Sequence, residues 1–456
     1  MFKRRIESVL EEWKKTPGHN PLVIKGVRQC GKTYSVTKFA KNHYKNVVYL
    51  DFSRNMSYKS FFGNDLSPDA VIMNISLAMP DVDFVAGETC LIFDEIQECP
   101  AARSSLKFFK LDGRYDVICT GSLLGVSGYK TDEERQEEMR RSIPVGYEDI
   151  VTMYPMDFEE WLWANGVKDI HFNHLKHCLE NEEPVPEAMH KRMRELLLRY
   201  TVVGGMPKAV STFLETRNYG AVLKVQRQIV DDYKVDMLKY ALNYDKSRIR
   251  ECFESIPAQL ARENKKFSYT LVRKHGRSNE YQGSLQWIED AGIVRRCYNL
   301  ETLELPLVGF AMKDTFKVYM GDTGLFISML DDGTALNVIN GDILQYKGAI
   351  AENLMADMLG KRGMNLYYYK KTDSLELDFV VRYKNECTPI ECKATTGNAK
   401  SVKTVLRNKD KYHINQALKF GNYNIGRVGE ILTLPMYMAF MLFDDVSLMA
   451  FGHTKA

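Results

Sequence analysis

The chain has 456 residues, of which 45% are hydrophobic and 27% are charged, values that are ordinary for folded proteins. This length exceeds what one hydrophobic core usually serves and predicts two or three domains. The formal net charge is only +3, so a global positive field cannot be the reason to expect nucleic-acid binding. No run of about 18 apolar residues occurs, and the basic start leads into an amphipathic helix, so neither a membrane span nor a signal peptide is predicted.

The nine cysteines are scattered along the chain and form no C-x-x-C pair. Several lie in apolar segments, where a free thiol behaves as a small hydrophobic side chain. This usage is typical of a reducing compartment and argues against a disulfide framework or a zinc site. We therefore predict a cytoplasmic protein with no membrane partner.

The first predicted element is a buried strand, Leu22–Lys25, followed by a glycine-rich loop and an amphipathic helix. The loop, Gly26–Thr33, matches the P-loop pattern G-x-x-x-x-G-K-S/T at every fixed position, in the strand–loop–helix context that this motif requires. Its glycines allow close approach of the backbone, whose amides donate to phosphate oxygens together with the helix N-terminus. Lys32 is predicted to reach the β- and γ-phosphates, and Thr33 to ligate Mg²⁺. The predicted nucleotide contacts in this segment are Gly26, Val27, Arg28, Gln29, Cys30, Gly31, Lys32, Thr33 and Tyr34.

A second buried strand, Cys90–Phe93, ends in two acids that fit a Walker B motif. Asp94 is predicted to hold the magnesium ion through water, and Glu95 to polarise the attacking water. A further strand ends at Gly121–Ser122, where either Ser122 or Thr120 could sense the γ-phosphate, although an ordinary turn explains these residues equally well. Strands that alternate with helices predict an α/β fold with a parallel sheet and helices on both faces.

The middle of the chain is predicted to be helical over residues 156–240, with an interruption at Gly204–Gly205. Residues 245–300 contain three short amphipathic helices followed by alternating strand residues, which is the order of a winged helix. Basic residues cluster there and could contact DNA phosphates without reading bases. The alternative is a solvated charged surface on a protein-interaction module. The cluster comprises Lys246, Arg248, Arg250, Arg262, Lys265, Lys266, Arg273, Lys274 and Arg277.

The C-terminal part combines a helix glutamate, Glu352, with three predicted strands, the second spanning 375–381. Asp378 and the pair Glu391-x-Lys393 complete the constellation of PD-(D/E)xK nucleases. Asp378 and Glu391, together with Glu352, would bind Mg²⁺ through hard oxygen ligands, and Lys393 would orient or deprotonate the attacking water. A solvent-facing edge hairpin is the competing interpretation. Basic residues that could hold a phosphate backbone follow directly: Lys400, Lys403, Arg407, Lys409 and Lys411.

Five motifs together carry a resemblance to a known family: Gly-x-Arg-Gln-x-Gly-Lys-Thr, Phe93–Gln97, Thr120–Ser122, Tyr154–Phe158 and Gly204–Pro207. The chain resembles the prokaryotic AAA-type ATPases with a winged-helix-like middle region and a restriction-endonuclease-like C-terminal domain. This resemblance implies ATP as the nucleotide and a lid role for the helical region. The implied domains are an ATPase domain at 1–155, a helical lid at 156–240, a winged-helix-like domain at 241–335 and a PD-(D/E)xK nuclease-like α/β domain at 336–456.

One position departs from the family pattern. Many relatives place an arginine after a glycine before the Tyr-Pro segment, whereas this chain has Gly146–Tyr147, with Arg140 and Arg141 a few residues earlier.

We predict an ATPase that acts on DNA, with a metal-dependent deoxyribonuclease as a second activity and a homo-oligomer as one form of assembly. The alternative is a nucleotide-dependent switch or scaffold that binds a protein and carries an inactive nuclease-like domain. A third reading is an ATPase that turns over slowly alone, because it lacks an arginine finger.

Overall fold

A computed structural model describes residues 2–122, 146–240, 246–341, 347–372, 374–393 and 399–442. Arg140 and Arg141 lie outside these residues. None of the helices in this part of the chain is long and apolar enough to cross a lipid bilayer.

The first sheet contains five parallel strands in the order β2-β3-β4-β1-β5. Their bounds are β1 Leu22–Lys25, β2 Asn46–Asp51, β3 Thr89–Asp94, β4 Asp116–Gly121 and β5 Asp149–Thr152. The α-helices of this region are Ile6–Lys15, Lys32–His43, Pro68–Ala78 and Pro100–Asp112, and two 3₁₀-helices span Met56–Phe61 and Ile96–Glu98.

Both faces of this sheet are covered by helices. Leu22 and Ile24 of β1 pack in the same core as Phe39 of the helix after the P-loop. Val23, which points the other way because side chains alternate along a strand, packs in a second core with Val71 of the helix Pro68–Ala78. The predicted α/β class with a parallel sheet between helices is confirmed.

A helical region follows β5. Its helices are Phe158–Ala164, Asp169–Glu180, Glu187–Val203, Pro207–Thr216, Tyr219–Tyr240, Lys246–Ala261, Tyr269–Val272 and Ser278–Asp290. The predicted interruption is present, since Gly204 has a φ of 69° and directly follows the helix Glu187–Val203. The turn is also tightly packed: a Cβ on Gly205 would lie 1.9 Å from the carbonyl oxygen of Met156. The glycine pair therefore brings these helices against the segment that follows β5.

The second sheet has the order β7-β6-β8-β9. Its strands are β6 Val294–Leu300, β7 Ala311–Met320, β8 Leu366–Thr372 and β9 Leu375–Leu377. Three helices followed by the antiparallel pair β6–β7 have the predicted order, but β6 also pairs in parallel with β8. One sheet therefore crosses the predicted boundary between residues 335 and 336.

The third sheet has the order β10-β11-β12-β14-β13. Its strands are β10 Phe379–Tyr383, β11 Glu386–Cys392, β12 Ala417–Gly421, β13 Gly426–Val428 and β14 Ile431–Pro435. The remaining α-helices are Thr323–Ser328, Thr334–Asn340, Lys347–Lys361, Lys400–Arg407 and Lys409–Tyr412. Two more 3₁₀-helices span Leu307–Phe310 and Met436–Met441.

The predicted strand at 375–381 is divided at Asp378 into β9 and β10, which belong to different sheets. The division has a packing reason. Leu375 and Leu377 pack in one core, whereas Phe379 and Val381 pack in another. Asp378 therefore lies where the chain passes from the second sheet to the third.

A buried ionic cluster joins the lid to the C-terminal region. The ammonium of Lys361 lies 2.7 Å from a carboxylate oxygen of Asp357 and 3.1 Å from one of Asp322, and it donates to the hydroxyl of Tyr200 at 3.0 Å. Asp322 also accepts the backbone N–H of Gly205 at 2.7 Å. All three charged side chains are buried, so each depends on the others for its partners.

Candidate nucleotide site and nuclease-like site

The P-loop lies at the carboxyl edge of the first sheet, directly after β1. A Cβ on Gly26 would lie 2.0 Å from the carbonyl oxygen of Met153, so only glycine fits there. Gly31 has a φ of 100° and immediately precedes the helix Lys32–His43. The ammonium of Lys32 donates to the carbonyl oxygens of Gly26 and Val27 at 2.9 and 3.0 Å. Lys32 is thus held inside the loop that it is predicted to serve.

Asp94 ends β3 and faces the P-loop. Its carboxylate accepts hydrogen bonds from Thr33 Oγ1 at 2.9 Å, from the hydroxyl of Tyr49 at 2.6 Å and from the hydroxyl of Thr120. Burial, and then the neighbouring carboxylate of Asp94, raise the pKa of Tyr49, so this phenol remains a donor. Thr33 and Asp94, predicted from the two motifs to share a metal, are in direct contact.

Glu95 follows Asp94 with a left-handed backbone, φ 51° and ψ 51°. This conformation is uncommon for residues other than glycine and often occurs at functional sites. The Glu95 carboxylate accepts from Gln97 Nε2 at 2.5 Å and from Ser122 Oγ at 3.2 Å. Of the two predicted sensors, Ser122 contacts Glu95, whereas Thr120 contacts Asp94.

The helix Tyr219–Tyr240 lies against the outer side of the P-loop. Asp236 is paired with Arg28 at 2.8 Å, the hydroxyl of Tyr233 donates to the Arg28 carbonyl oxygen at 3.1 Å, and Asp232 accepts from Gln29 at 2.8 Å. Sequence reasoning did not single out these three residues. Their spacing within about one helical turn is visible in the sequence, but only the fold shows what they contact.

Arg4 is a second contact that sequence reasoning missed. It is buried and donates to the carbonyl oxygens of Cys30 and Tyr154, both at 2.8 Å, and to the carboxylate of Glu160 at 3.0 Å. It therefore ties the P-loop to the segment after β5. In the sequence, Arg4 appears only as part of a basic start before an amphipathic helix.

Two tyrosines near the P-loop region add little to the description of the nucleotide site. Tyr34 is half exposed at the start of the P-loop helix. The ring of Tyr147, the residue after Gly146, lies 5.4 Å from the ammonium of Lys107. It supplies no cation of its own.

In the nuclease-like site, Glu352 lies on the helix Lys347–Lys361 and is fully paired. Lys265 approaches one oxygen at 2.6 Å, while Tyr319 at 2.8 Å and Lys317 at 3.4 Å share the other. Burial alone would raise the pKa of Glu352, but the ammonium groups of Lys317 and Lys265 lower it to about 2. The structure therefore gives Glu352 ion-pair partners in the place where a metal was predicted.

Asp378 lies between β9 and β10, and Glu391 lies on β11, which pairs with β10. The carboxylate of Asp378 accepts the backbone N–H of Cys392 at 2.8 Å. Burial, and then the carboxylates of Glu352 and Glu391, raise the pKa of Asp378 to about 8. Lys393 pairs with one oxygen of Glu391 at 2.5 Å, and the other oxygen is buried without a hydrogen-bond partner. The predicted Asp, Glu and Lys are thus brought together.

Of the three predicted metal ligands, only the carboxylates of Asp378 and Glu391 fit a Mg²⁺ site. Within the described ranges, no group of three or more His, Cys, Asp or Glu side chains is arranged to hold a metal ion. Mg²⁺ usually keeps several waters and takes one or two carboxylates, so Asp378 and Glu391 would suffice. The unpartnered oxygen of Glu391 and the raised pKa of Asp378 both indicate that Lys393 and Lys317 do not fully offset the negative charge of these carboxylates.

The predicted basic cluster borders this site. Lys265 reaches Glu352, while its neighbours Arg262 and Lys266 are exposed. Arg273, Lys274 and Arg277 are exposed as well, whereas Lys246 and Arg248 are half-buried. A concave surface lined by residues 262–264 and 266–268 lies beside them.

The P-loop, its lysine and the paired Thr33 and Asp94 define the nucleotide site of a P-loop ATPase. Residues 18–162 match the family described as AAA domain, so this part of the chain is an AAA-type ATPase domain. Two further matches, residues 194–336 and 347–437, are to families described as domains of unknown function, DUF8612 and DUF4143. The chain therefore combines a domain of recognised class with two that carry no assigned role.

Solved structures with some similarity include a Walker-type ATPase of Pyrococcus abyssi, which is 14% identical with a TM-score of 0.41. That match covers 72% of this chain and 96% of the other. AMPPCP-bound DnaA from Aquifex aeolicus is 10% identical with a TM-score of 0.26, covering 62% and 86%. Among curated proteins, none matches this chain.

Proposed function

We propose that this protein is a Mg²⁺-dependent ATP hydrolase that acts on DNA through its middle and C-terminal regions. The observation that carries the hydrolase is the direct contact of Thr33 with Asp94, with Glu95 held beside it by Ser122. Two independent motifs, distant in sequence, converge on one edge of the sheet. Such convergence is expected where both serve the same phosphates.

The residues divide the work of hydrolysis. Loop amides and Lys32 would bind the phosphates, and Thr33 with Asp94 would hold the magnesium ion. Glu95 would orient the attacking water and accept its proton, which its contacts with Gln97 and Ser122 prepare it to do. When bound, Mg²⁺ neutralises charge on the phosphates.

The DNA-directed part of the proposal is supported by the position of the basic cluster. Exposed Arg262 and Lys266 flank Lys265, whose ammonium reaches Glu352 at the nuclease-like site. A phosphate backbone held by the exposed cations would therefore lie close to that site. Asp378 and Glu391 would bind Mg²⁺, and Lys393 would orient the attacking water.

A second candidate function is a nucleotide-dependent switch or scaffold that does not cut. Lys317 favours it, because its ammonium lies among the carboxylates of the site, at 2.8 Å from Glu376 and 3.4 Å from Glu352. Burial alone would lower the pKa of Lys317, but Glu352 and Glu376 outweigh burial and raise it. The ammonium of Lys317 therefore neutralises negative charge on these carboxylates that a bound metal ion would otherwise neutralise.

Two observations bear on the compartment of the protein and on its assembly. All nine cysteines are buried free thiols, which supports a reducing compartment such as the cytoplasm. Tyr147 follows Gly146 where the resembled family has an arginine, so this position supplies no catalytic cation. A homo-oligomer is one form of assembly in which a neighbouring copy could provide one.

The test is nicking of supercoiled plasmid with Mg²⁺ or Mn²⁺, with and without ATP, for wild type, Asp378→Ala and Lys393→Ala. ATP turnover is measured on the same preparations. Lys176→Ala, at an exposed lysine that pairs with Glu180 and belongs to neither predicted basic cluster, is the matched control. We expect both site variants to abolish nicking and leave ATP turnover intact.

The outcomes separate the proposals. Nicking that persists in Asp378→Ala would place the nuclease elsewhere or in a contaminant. Absence of nicking in wild type, with ATP turnover that Lys32→Ala abolishes, would favour the switch. Wild-type ATP turnover unchanged by Lys32→Ala would contradict the nucleotide site itself.

A further inference from the structure

We propose that Arg28 supplies the catalytic cation of ATP hydrolysis within the same chain, and that Asp236 of the lid competes with the γ-phosphate for it. This inference rests on the proposed ATP hydrolysis. It assigns a role to the side chain of a loop residue that the P-loop pattern leaves unspecified.

The position of Arg28 in the site is the first argument. Arg28 directly follows Gly26 and Val27, whose carbonyl oxygens hold the ammonium of Lys32. Its Nε donates to Ser122 Oγ at 3.3 Å, and Ser122 donates to Glu95 at 3.2 Å. The guanidinium is therefore one hydroxyl away from the acid that would activate water.

The partner of Arg28 is the second argument. Its Nη1 lies 2.8 Å from a carboxylate oxygen of Asp236 on the helix Tyr219–Tyr240. The Arg28 side chain remains 30% exposed, so a ligand can reach it. A phosphate accepts the same planar, charge-assisted hydrogen bonds from a guanidinium as a carboxylate does. The γ-phosphate of ATP can thus replace Asp236, whereas ADP lacks the γ-phosphate.

A cation that belongs to the same chain also has a kinetic signature. An arginine that acts in the same chain needs no neighbouring copy, so turnover per chain should not depend on protein concentration. An arginine supplied by a second copy would make it rise with concentration.

The pair also gives the lid a response to nucleotide. Asp236, Tyr233 and Asp232 hold Arg28 and Gln29 from one helix. If the γ-phosphate binds the guanidinium of Arg28, its ion pair with Asp236 is lost. The hydrogen bonds that Tyr233 and Asp232 make with the loop are kept. ATP and ADP would thus leave the lid helix attached by different sets of contacts.

The test uses the full-length protein and four variants: Arg28→Ala, Asp236→Asn, their combination, and Asp231→Asn. Asp231 lies on the same helix but pairs with Lys234 instead of the P-loop, so its variant is the matched control. ATP and ADP affinities are measured by titration calorimetry, and turnover is measured across protein concentrations.

We expect Arg28→Ala to lower kcat by about 10²-fold or more while ADP affinity stays within about threefold. Asp236→Asn should raise the ratio of ATP to ADP affinity by about threefold, and the double variant should lose that rise. Asp231→Asn should match wild type.

A ratio unchanged in Asp236→Asn, or a rise that persists without Arg28, would overturn the competition. Turnover that rises with protein concentration and is insensitive to Arg28→Ala would overturn the catalytic role. Loss of all nucleotide binding in wild type would instead contradict the proposed function, and the two failures are thereby distinguishable.

Discussion

Single residues at the nucleotide site are arranged in pairs with different tasks. Asp94 is held by three hydroxyl groups, from Thr33, Tyr49 and Thr120. Glu95 has fewer fixed partners, Gln97 and Ser122, and a left-handed backbone. We infer that Asp94 is held in place for a metal, whereas Glu95 keeps room for a water molecule.

This difference leads to a prediction for Glu95→Gln. The amide keeps the size of the side chain but cannot accept the proton of the attacking water. We expect ATP affinity to stay within about threefold and kcat to fall by about 10²-fold or more. Single-turnover hydrolysis and calorimetric titration measure the two quantities. An unchanged kcat would remove Glu95 from the catalytic role.

A second residue-scale prediction concerns the charge of Asp378. Burial and neighbouring carboxylates raise its pKa to about 8, so folding favours its protonated form. The stabilising effect of this proton is full below the ordinary aspartate pKa and is lost as pH rises towards about 8. In chelator, the melting temperature of wild type should therefore fall more between about pH 5 and pH 9 than that of Asp378→Asn.

Asp410→Asn, an exposed position in the same region, provides the control for this measurement. Its melting curve should follow wild type at every pH. Parallel curves for Asp378→Asn and wild type would show that the carboxyl of Asp378 does not titrate in this range.

At this scale, the sequence could predict residues that belong to a local pattern. The P-loop, Asp94 and Glu95 follow strands whose hydrophobic runs are unmistakable, so their positions at one sheet edge could be inferred. Arg4, Tyr49 and Asp236 could not, because their roles depend on contacts between segments far apart in sequence. Glu352 was grouped with a metal because nothing local indicates that Lys265 and Lys317 reach it.

Secondary-structure elements show a similar limit. Periodicity predicted the helices of the middle region and the strands around the nuclease-like residues. It could not predict the break at Asp378, since alternation continues through Leu377 and Phe379 although they enter different cores. Alternating side chains define faces of a strand, but not which partner each face packs against.

The helix Lys347–Lys361 gives a prediction at this scale. Lys361 is completely buried among Asp322, Asp357 and Tyr200. Lys361→Met removes the cation and leaves two carboxylates buried without it, which typically costs about 3–5 kcal/mol. We expect the denaturant concentration at the midpoint of unfolding, measured by circular dichroism, to fall clearly.

Lys176→Met tests whether loss of a lysine alone has this effect. Lys176 is exposed and pairs with Glu180 one turn along its helix, so its loss should change stability by less than about 0.5 kcal/mol. Equal midpoints for the two variants would mean that the buried cluster contributes little to stability.

Over the whole molecule, the three regions are joined more closely than a division by sequence suggests. The second sheet takes β6 and β7 from the middle region and β8 and β9 from the C-terminal region. Lys265 and Lys317 of the middle region complete the ion pairs of Glu352. The basic cluster of the middle region therefore reaches the nuclease-like residues through Lys265, which pairs with the buried Glu352.

This connection leads to a prediction for DNA binding. If Lys266 and Arg273 contact phosphates, replacing both with alanine should weaken binding equally for unrelated sequences. It should also reduce the slope of log affinity against log salt by about two. Fluorescence anisotropy with two duplexes of different sequence measures both effects.

Lys45 and Lys176 provide the matched pair for this experiment, since both are exposed and neither belongs to the predicted basic cluster. Their double alanine variant should keep the wild-type slope. A slope unchanged by Lys266→Ala and Arg273→Ala would favour a surface that binds protein instead of DNA.

The sharing of the second sheet also has a consequence for how this protein can be divided. A cut between Asn340 and Lys347 would give two fragments, each with a strand edge that the other fragment normally covers. Expressed alone, each edge is a template for aggregation, whereas together the edges should pair and restore the sheet. Fragment complementation should therefore succeed here, and exchange of the C-terminal part between relatives should require β6 and β7 to move with it.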